Sequence, residues 1–435
     1  MINSISLKQF KSYRDATLPF GPLTLLVGAN AAGKSNAIEG IRFLSWLAEG
    51  RRLDDLMTAV QAADQRIRGT IENLTYAGTD SFGFRCNTDV GGEWSKLSIE
   101  IRVTQDGMRI IAESITSLFS QVPLYTVSGP AQEFSHEIQV QYNNFARGGK
   151  KPKIPCSDQQ AVFTQLETPA RFGAGHSHAQ KIIPQVVGKY RRVLEEILFL
   201  DPSPRGMRQY SFKIERALKG DGSNLSSVLY DLCEVKGKRD EVLSFIKSLP
   251  EQDIRGISFL ETPRNEVMLR LAESFAGRDQ IWDAPVLSDG TLRVLAVAAA
   301  LLSAPEGSLV IIEEIDNGVH PSRANVLLDN IQRVARARNV RVLVTTHNPA
   351  LLDALPSEAI PDVVCCYRDP DVGDSRLVRL EDLQDYPDLV ARGPLGQLMT
   401  KGILERFLKD RRSVEQKREQ AFDWLESLQQ RFERQ

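Results

Sequence analysis

The chain has 435 residues, which at about 150 residues per domain corresponds to roughly three domain-sized units, or one large core carrying an insertion. Hydrophobic residues make up 42% and charged residues 25%, a balance that excludes a disordered, collagen-like or disulfide-framed chain. With 54 Lys and Arg against 56 Asp and Glu, the net charge of -2 leaves no whole-molecule field that would mark a polyanion binder.

The five cysteines, Cys86, Cys156, Cys233, Cys365 and Cys366, include no CxxC pair and suggest a reducing compartment. The most apolar stretch, residues 294–302, falls well short of the roughly 18 residues that a membrane span needs. Charges at Lys8, Lys11, Arg14 and Asp15 interrupt the region where a signal peptide would be apolar, so the expected location is the cytoplasm.

In chain order, residues 2–7 alternate apolar and polar and read as a strand. Residues 23–27 are a fully apolar run ending at Gly28 and read as a buried strand. Between residues 66 and 114, segments such as SFGFRC, KLSIEIRV and GMRIIAES, separated by Gly, Asp and Asn, predict an antiparallel meander. Residues 143–160, rich in Gly, Pro and Lys, read as a loop whose charge feature is Arg147, Lys150, Lys151 and Lys153. Apolar spacing predicts helices over 181–200 and 224–249, making the middle of the chain mostly helical. From residue 287 the pattern becomes helix, strand, helix, strand, the alternation of a parallel α/β sheet. Residues 402–435 are charged and read as helical, with Phe422, Trp424, Leu425, Leu428 and Phe432 as a candidate apolar face for a partner or for the chain's own body.

The sharpest motif is Gly28-Ala-Asn30-Ala-Ala-Gly33-Lys34-Ser35-Asn36, a GxxxxGK[ST] loop between a buried strand and a helix. Its glycines let backbone N–H groups wrap phosphate oxygens, Lys34 would reach the β and γ phosphates, and the Ser35 hydroxyl would ligate Mg²⁺. A second apolar strand, residues 309–312, delivers Glu313 and Glu314 to the sheet edge where ligands of open α/β sheets bind. Glu313 is the expected Mg²⁺ holder and Glu314 the general base that polarises the attacking water. A third strand ends in Thr345-Thr346-His347-Asn348-Pro349, where His347 can bond the γ-phosphate and the attacking water. Leu287-Ser288-Asp289-Gly290 opens a long helix and offers a second anion-binding turn, which a nucleotide on another protomer would fill more naturally than the chain's own. His176 and His178 lack further nearby metal ligands and read as loop residues. Lys189, Arg191 and Arg192, with the 147–153 cluster, are a weak candidate for a DNA-facing stripe.

These four elements in this order resemble the ABC-class P-loop ATPases, and especially the SMC, RecF and OLD-like branch of bacterial ATPases. The resemblance is carried by the start of the chain and by residues 285–350. LSDGTLR looks like the signature motif, IIEEIDNGVHP like the Walker B strand with its D-loop, and TTHNP like the switch-histidine loop.

The resemblance implies an α/β fold with an ABC-type nucleotide-binding lobe, mixed sheet plus antiparallel meander, over residues 1–180 and 285–375. A helical lobe over 181–284 would interrupt it, and a helical tail over 376–435 would follow. It implies ATP and Mg²⁺ as ligands and slow ATP hydrolysis. It further implies a homodimer sandwiching two ATP molecules, with Ser288 and Gly290 gripping the γ-phosphate bound by the other subunit, Asp316 near the seam, and Phe10 to Arg14 beside the nucleotide. Gln165 and Gln180 are weak candidates for the Q-loop glutamine. Glu313 in place of the usual Asp, and LSDG in place of LSGG, depart from the common pattern.

Small ATPases of this resemblance look like sensor subunits of anti-phage defence systems that act with a separately encoded nuclease or toxin effector. The alternatives are a RecF-like DNA repair clamp, which would bind DNA, and a regulatory scaffold that binds ATP without turning it over.

Overall fold

The computed structural model describes residues 1–56, 68–129, 135–246, 253–275, 278–316, 324–383, 385–410, 416, 419 and 422–424. Most of the C-terminal apolar positions and the D-loop residues after Asp316 therefore lie outside the described residues. Of the tail, Ile403–Lys409 is helical, and Phe422 and Trp424 are exposed.

The chain opens with β1 (Ile2–Phe10), β2 (Tyr13–Pro19) and β3 (Leu23–Val27), followed by helix α1 (Lys34–Ala48). Then come β4 (Ser81–Thr88), β5 (Lys96–Thr104), β6 (Gly107–Thr116), β7 (Tyr125–Val127), β8 (Glu137–Tyr142) and β9 (Lys153–Ser157). With β1 and β2 these form an eight-stranded antiparallel sheet in the order β2-β1-β4-β5-β6-β7-β8-β9. The meander is thus present and longer than the sequence suggests. The expected loop over 143–160 contains β9, because Ile154 and Cys156 alternate inward and are buried while Pro155 sits on the outermost strand, where its missing N–H costs no ladder bond.

After α2 (Ser177–Glu195), the short strand β10 (Leu198–Leu200) pairs in parallel with β15 (Leu309–Ile312). That pair belongs to a six-stranded sheet in the order β10-β15-β16-β3-β17-β18, with β16 (Arg341–Thr345), β17 (Val364–Arg368) and β18 (Ser375–Arg379). All neighbours are parallel except β17 and β18.

Both faces of this sheet are covered, which is why its strands read as unbroken apolar runs. Leu23, Leu25 and Val27 pack into the core shared with α5 (Asp289–Ser303) and α6 (Ala324–Ala337). Leu26, Leu309 and Leu343 pack with α1 and the antiparallel sheet. Helix α1 lies between the two sheets, with Phe43 5.5 Å from both Phe82 and Phe84, so it is apolar around most of its circumference.

The middle of the chain departs from the helical expectation. Helices α3 (Leu225–Tyr230) and α4 (Arg239–Ile246) replace one long helix, with a π-turn over Asp231–Val235 between them. Residues 253–283 form an antiparallel meander of β12 (Asp253–Glu261), β13 (Glu266–Phe275) and β14 (Arg278–Asp283), joined at the edge of β13 by β11 (Ser211–Phe212). Val267, Leu269 and Leu271 alternate onto the buried face, although Glu, Met, Leu, Arg and Ala in β13 are good helix formers. Burial of one sheet face against α3 and α4 outweighs that propensity.

Candidate functional site

The parallel strands end together at one edge, and the candidate residues gather there. Loop 28–33 leaves β3 and turns into α1 through residues that demand glycine. Gly28 has φ 156° and a Cβ on it would lie 2.1 Å from the Cys366 carbonyl oxygen; Gly33 has φ 126° and its Cβ would lie 2.5 Å from Ser375 Oγ. The loop is therefore pressed directly onto β17 and the start of β18.

A cleft of 420 Å³ at this edge is lined by Asn30, Gly33, Lys34, Ser35 and Asn36 from the loop and by Glu313, Glu314 and His347 from the neighbouring strand ends. Lys34 donates to the carbonyls of Gly28 at 2.5 Å and Ala29 at 3.2 Å, and burial pushes its ammonium pKa down against the opposing pull of Cys366, Glu314 and Asp316. Glu314 sits at φ 49°, a left-handed conformation unusual for a side-chain-bearing residue, and its N–H donates to Thr345 Oγ1 at 3.0 Å. Asp316, expected near a subunit seam, lies beneath the exposed His347 with 3.7 Å between Oδ2 and Nε2, and its other oxygen is buried without a hydrogen-bond partner among the described residues. Glu313 pairs with Arg42 of α1 at 2.5 Å. Ser35, Glu313 and Glu314 bring hard oxygen donors to one cleft, a set that suits Mg²⁺.

The signature-like turn is elsewhere. Ser288 is exposed and caps α5, accepting from Thr291 N at 3.1 Å, while Asp289 pairs with Arg208 at 2.6 Å. Neither Ser288 nor Gly290 lines the cleft.

Other sequence candidates are engaged away from it. Asn36 borders the cleft, yet its amide donates to Ser12 Oγ at 2.8 Å. Gln165 bonds the Ser157 and Gln160 backbone and Gln180 the Phe172 and Gly173 carbonyls, so neither lines the cleft as a Q-loop residue. Within 10–14, Phe10 and Tyr13 are buried, and Lys11 pairs with Glu39 rather than lining the cleft. His176 bonds Tyr142 Oη at 2.7 Å, and among the described residues no group of three or more His, Cys, Asp or Glu side chains is placed to hold a metal ion. Arg191 pairs with Glu167 and Glu195, and Arg192 with Glu196, which neutralises two members of the candidate basic stripe.

Four residues support or border the loop: Ser12 and Tyr13, from the 10–14 segment expected beside the nucleotide, and Arg368 and Ser375, which the sequence did not mark. Tyr13 Oη donates to the Gly33 carbonyl at 3.0 Å, and burial pushes its phenol pKa well up, keeping that proton in place. Ser375 Oγ donates to the Ala32 carbonyl at 2.6 Å and Ser12 accepts the Ser375 backbone N–H at 2.8 Å. Arg368 reaches the Ala31 carbonyl at 3.3 Å and lines the cleft beside Lys34. No motif would have flagged Arg368 and Ser375, since they are scattered polar residues brought to the loop by strand pairing.

Two family models match the chain: "AAA ATPase domain" over residues 1–153, and "AAA domain, putative AbiEii toxin, Type IV TA system" over residues 186–353. Among curated proteins, an ATP/GTP phosphatase of Helicobacter pylori is 21% identical over 82% of this chain and 87% of its own length. The DNA replication and repair protein RecF of Symbiobacterium thermophilum is 22% identical over 76% of this chain and 88% of its own length. Among solved structures, an Smc head bound to the C-winged helix domain of ScpA aligns at 16% identity with TM-score 0.46, over 87% of this chain and 96% of that one. The two family models and the likeness to RecF agree with the sheet order and the phosphate-loop geometry in pointing to a P-loop ATPase-type chain. No helix among the described residues is long and apolar enough to cross a membrane.

Proposed function

We propose that the chain binds ATP with Mg²⁺ and hydrolyses it slowly, as a head-to-tail homodimer in which each subunit completes the other's site. The observation that carries this reading is the convergence of Lys34, Ser35, Glu313, Glu314 and His347 on one cleft. On this reading Lys34 exchanges its loop carbonyls for phosphate oxygens, and Ser35 and Glu313 hold Mg²⁺, which supplies charge neutralisation at the phosphates. Glu314 takes the proton of the attacking water, and His347, backed by Asp316, steadies the γ-phosphate. The exposed Ser288 and the half-buried Gly290 stand outside the subunit's own cleft, which supports their use in trans.

The biological output we propose is that of a sensor or regulator subunit in bacterial anti-phage defence, acting through a separately encoded effector. The toxin–antitoxin description of the second matched model supports this reading. A RecF-like DNA clamp is the second reading, favoured by the similarity to RecF over 76% of this chain. ATP-dependent, salt-sensitive binding to random-sequence duplex would support the clamp and count against the sensor.

The catalytic assignment is tested by Glu314→Gln, which should slow phosphate release by about 10²–10⁴-fold while leaving ATP affinity intact. Unchanged turnover would remove Glu314 from its role.

A further inference from the structure

One face of α1 carries a polar stripe on an otherwise apolar helix. Ser35, Glu39 and Arg42 follow at spacings of four and three, so they share that face with the hydroxyl expected to ligate Mg²⁺. This face borders a second cavity of 700 Å³. Ser35 and Glu313 line both that cavity and the nucleotide cleft, whereas Arg42 lines only the larger one. Arg42 therefore reaches Glu313 from behind, at 2.5 Å to Oε1. Its guanidinium also lies 4.6 Å from the centre of the Phe199 ring, beside β10, and both members of the ion pair are about three-quarters buried, with side-chain exposures of 25% and 22%.

We infer that Arg42 is the positioning residue of Glu313: it holds the carboxylate toward the cleft so that it can serve Mg²⁺, an inference that rests on the nucleotide reading above. Glutamate has one more rotatable bond than the aspartate usual at this position, so a carboxylate here needs an anchor to present one oxygen consistently. Arg42 supplies that anchor, and Phe199 restrains the anchor in turn. Carboxylates that ligate metals are ordinarily hydrogen-bonded from outside the coordination sphere, and loss of such partners costs about 10–100-fold in metal affinity. The second cavity gives the arginine its room; a lysine could retain the charge but not the planar stack on Phe199.

The experiment measures the affinity of a fluorescent ATP analogue with Mg²⁺ and with EDTA, together with Mn²⁺ binding followed by electron paramagnetic resonance in the presence of ATP. Arg42→Ala should lower the Mg²⁺-dependent gain in affinity and the Mn²⁺ affinity by about 10–100-fold, with the EDTA value within about twofold of wild type. Arg42→Lys should recover part of the loss, and Phe199→Ala should reproduce a smaller version of it. Equal metal dependence in wild type and Arg42→Ala, or tighter metal binding by Arg42→Ala, overturns the inference while leaving the nucleotide site standing. A loss equal with and without metal also overturns it, since that marks general damage. Wild-type protein that binds no nucleotide overturns the site and this inference together.

Discussion

Lys34 is the residue at which chemistry and environment meet most directly. Its ammonium is pushed below the ordinary lysine range by burial, and it is the charged form that attracts phosphate. As pH rises through that lowered value, the free protein loses the proton that nucleotide binding requires, so ATP affinity should decline at a lower pH than an ordinary lysine would dictate. Isothermal titrations across the alkaline range would check this, and Lys34→Arg should flatten the decline because a guanidinium stays charged throughout. The motif alone marked Lys34, Ser35, Glu313, Glu314 and His347. Arg368 and Ser375 were invisible because their importance lies in what they touch. Only the polar stripe of Ser35, Glu39 and Arg42 along α1 left any trace of a role in the sequence.

At the scale of elements, the antiparallel sheet is tied to the chain beyond it through one buried carboxylate. Glu113 on β6 accepts from Tyr125 Oη at 2.6 Å and from the backbone N–H groups of Val162 and Phe163, each at 2.7 Å, at the start of a short helical turn. Burial pushes its pKa up to about 7, opposed by those three donors. A carboxyl whose folded pKa exceeds its unfolded one contributes stability that is present below the unfolded value and is lost as pH rises through the folded one. The margin by which wild type out-melts Glu113→Gln should therefore be larger at pH 5 than at pH 8; a margin independent of pH would remove Glu113 as the titrating group. The parallel strands were readable because burial on both faces leaves continuous apolar runs. The meander of β12, β13 and β14 was not, because its residues suit a helix locally and only packing of one face against α3 and α4 selects the strand.

For the whole molecule, the separation of the signature-like turn from the phosphate loop sets the terms of assembly. In the proposed dimer the two half-sites meet across the subunit boundary, and a closed two-fold arrangement completes two sites at once. Lys34→Ala and Ser288→Arg proteins should each be nearly inactive alone. Mixed in equal amounts they should recover roughly a quarter of wild-type ATPase activity, because half of randomly paired dimers are mixed and each mixed dimer holds one intact site of two. Failure to recover activity in mixtures that do pair would exclude the head-to-tail arrangement.

The sequence by itself determined the glycine-rich GK[ST] loop, the acidic strand end, the histidine that follows the third strand and the alternation that builds the parallel sheet, because each rests on residues adjacent in the chain. Only the tertiary structure decided what stands behind them: β17 pressed against Gly28, Tyr13 under Gly33, and Arg42 gripping Glu313 across 271 positions of chain. Such contacts join segments whose separation along the backbone carries no local pattern, and folding alone brings them within reach.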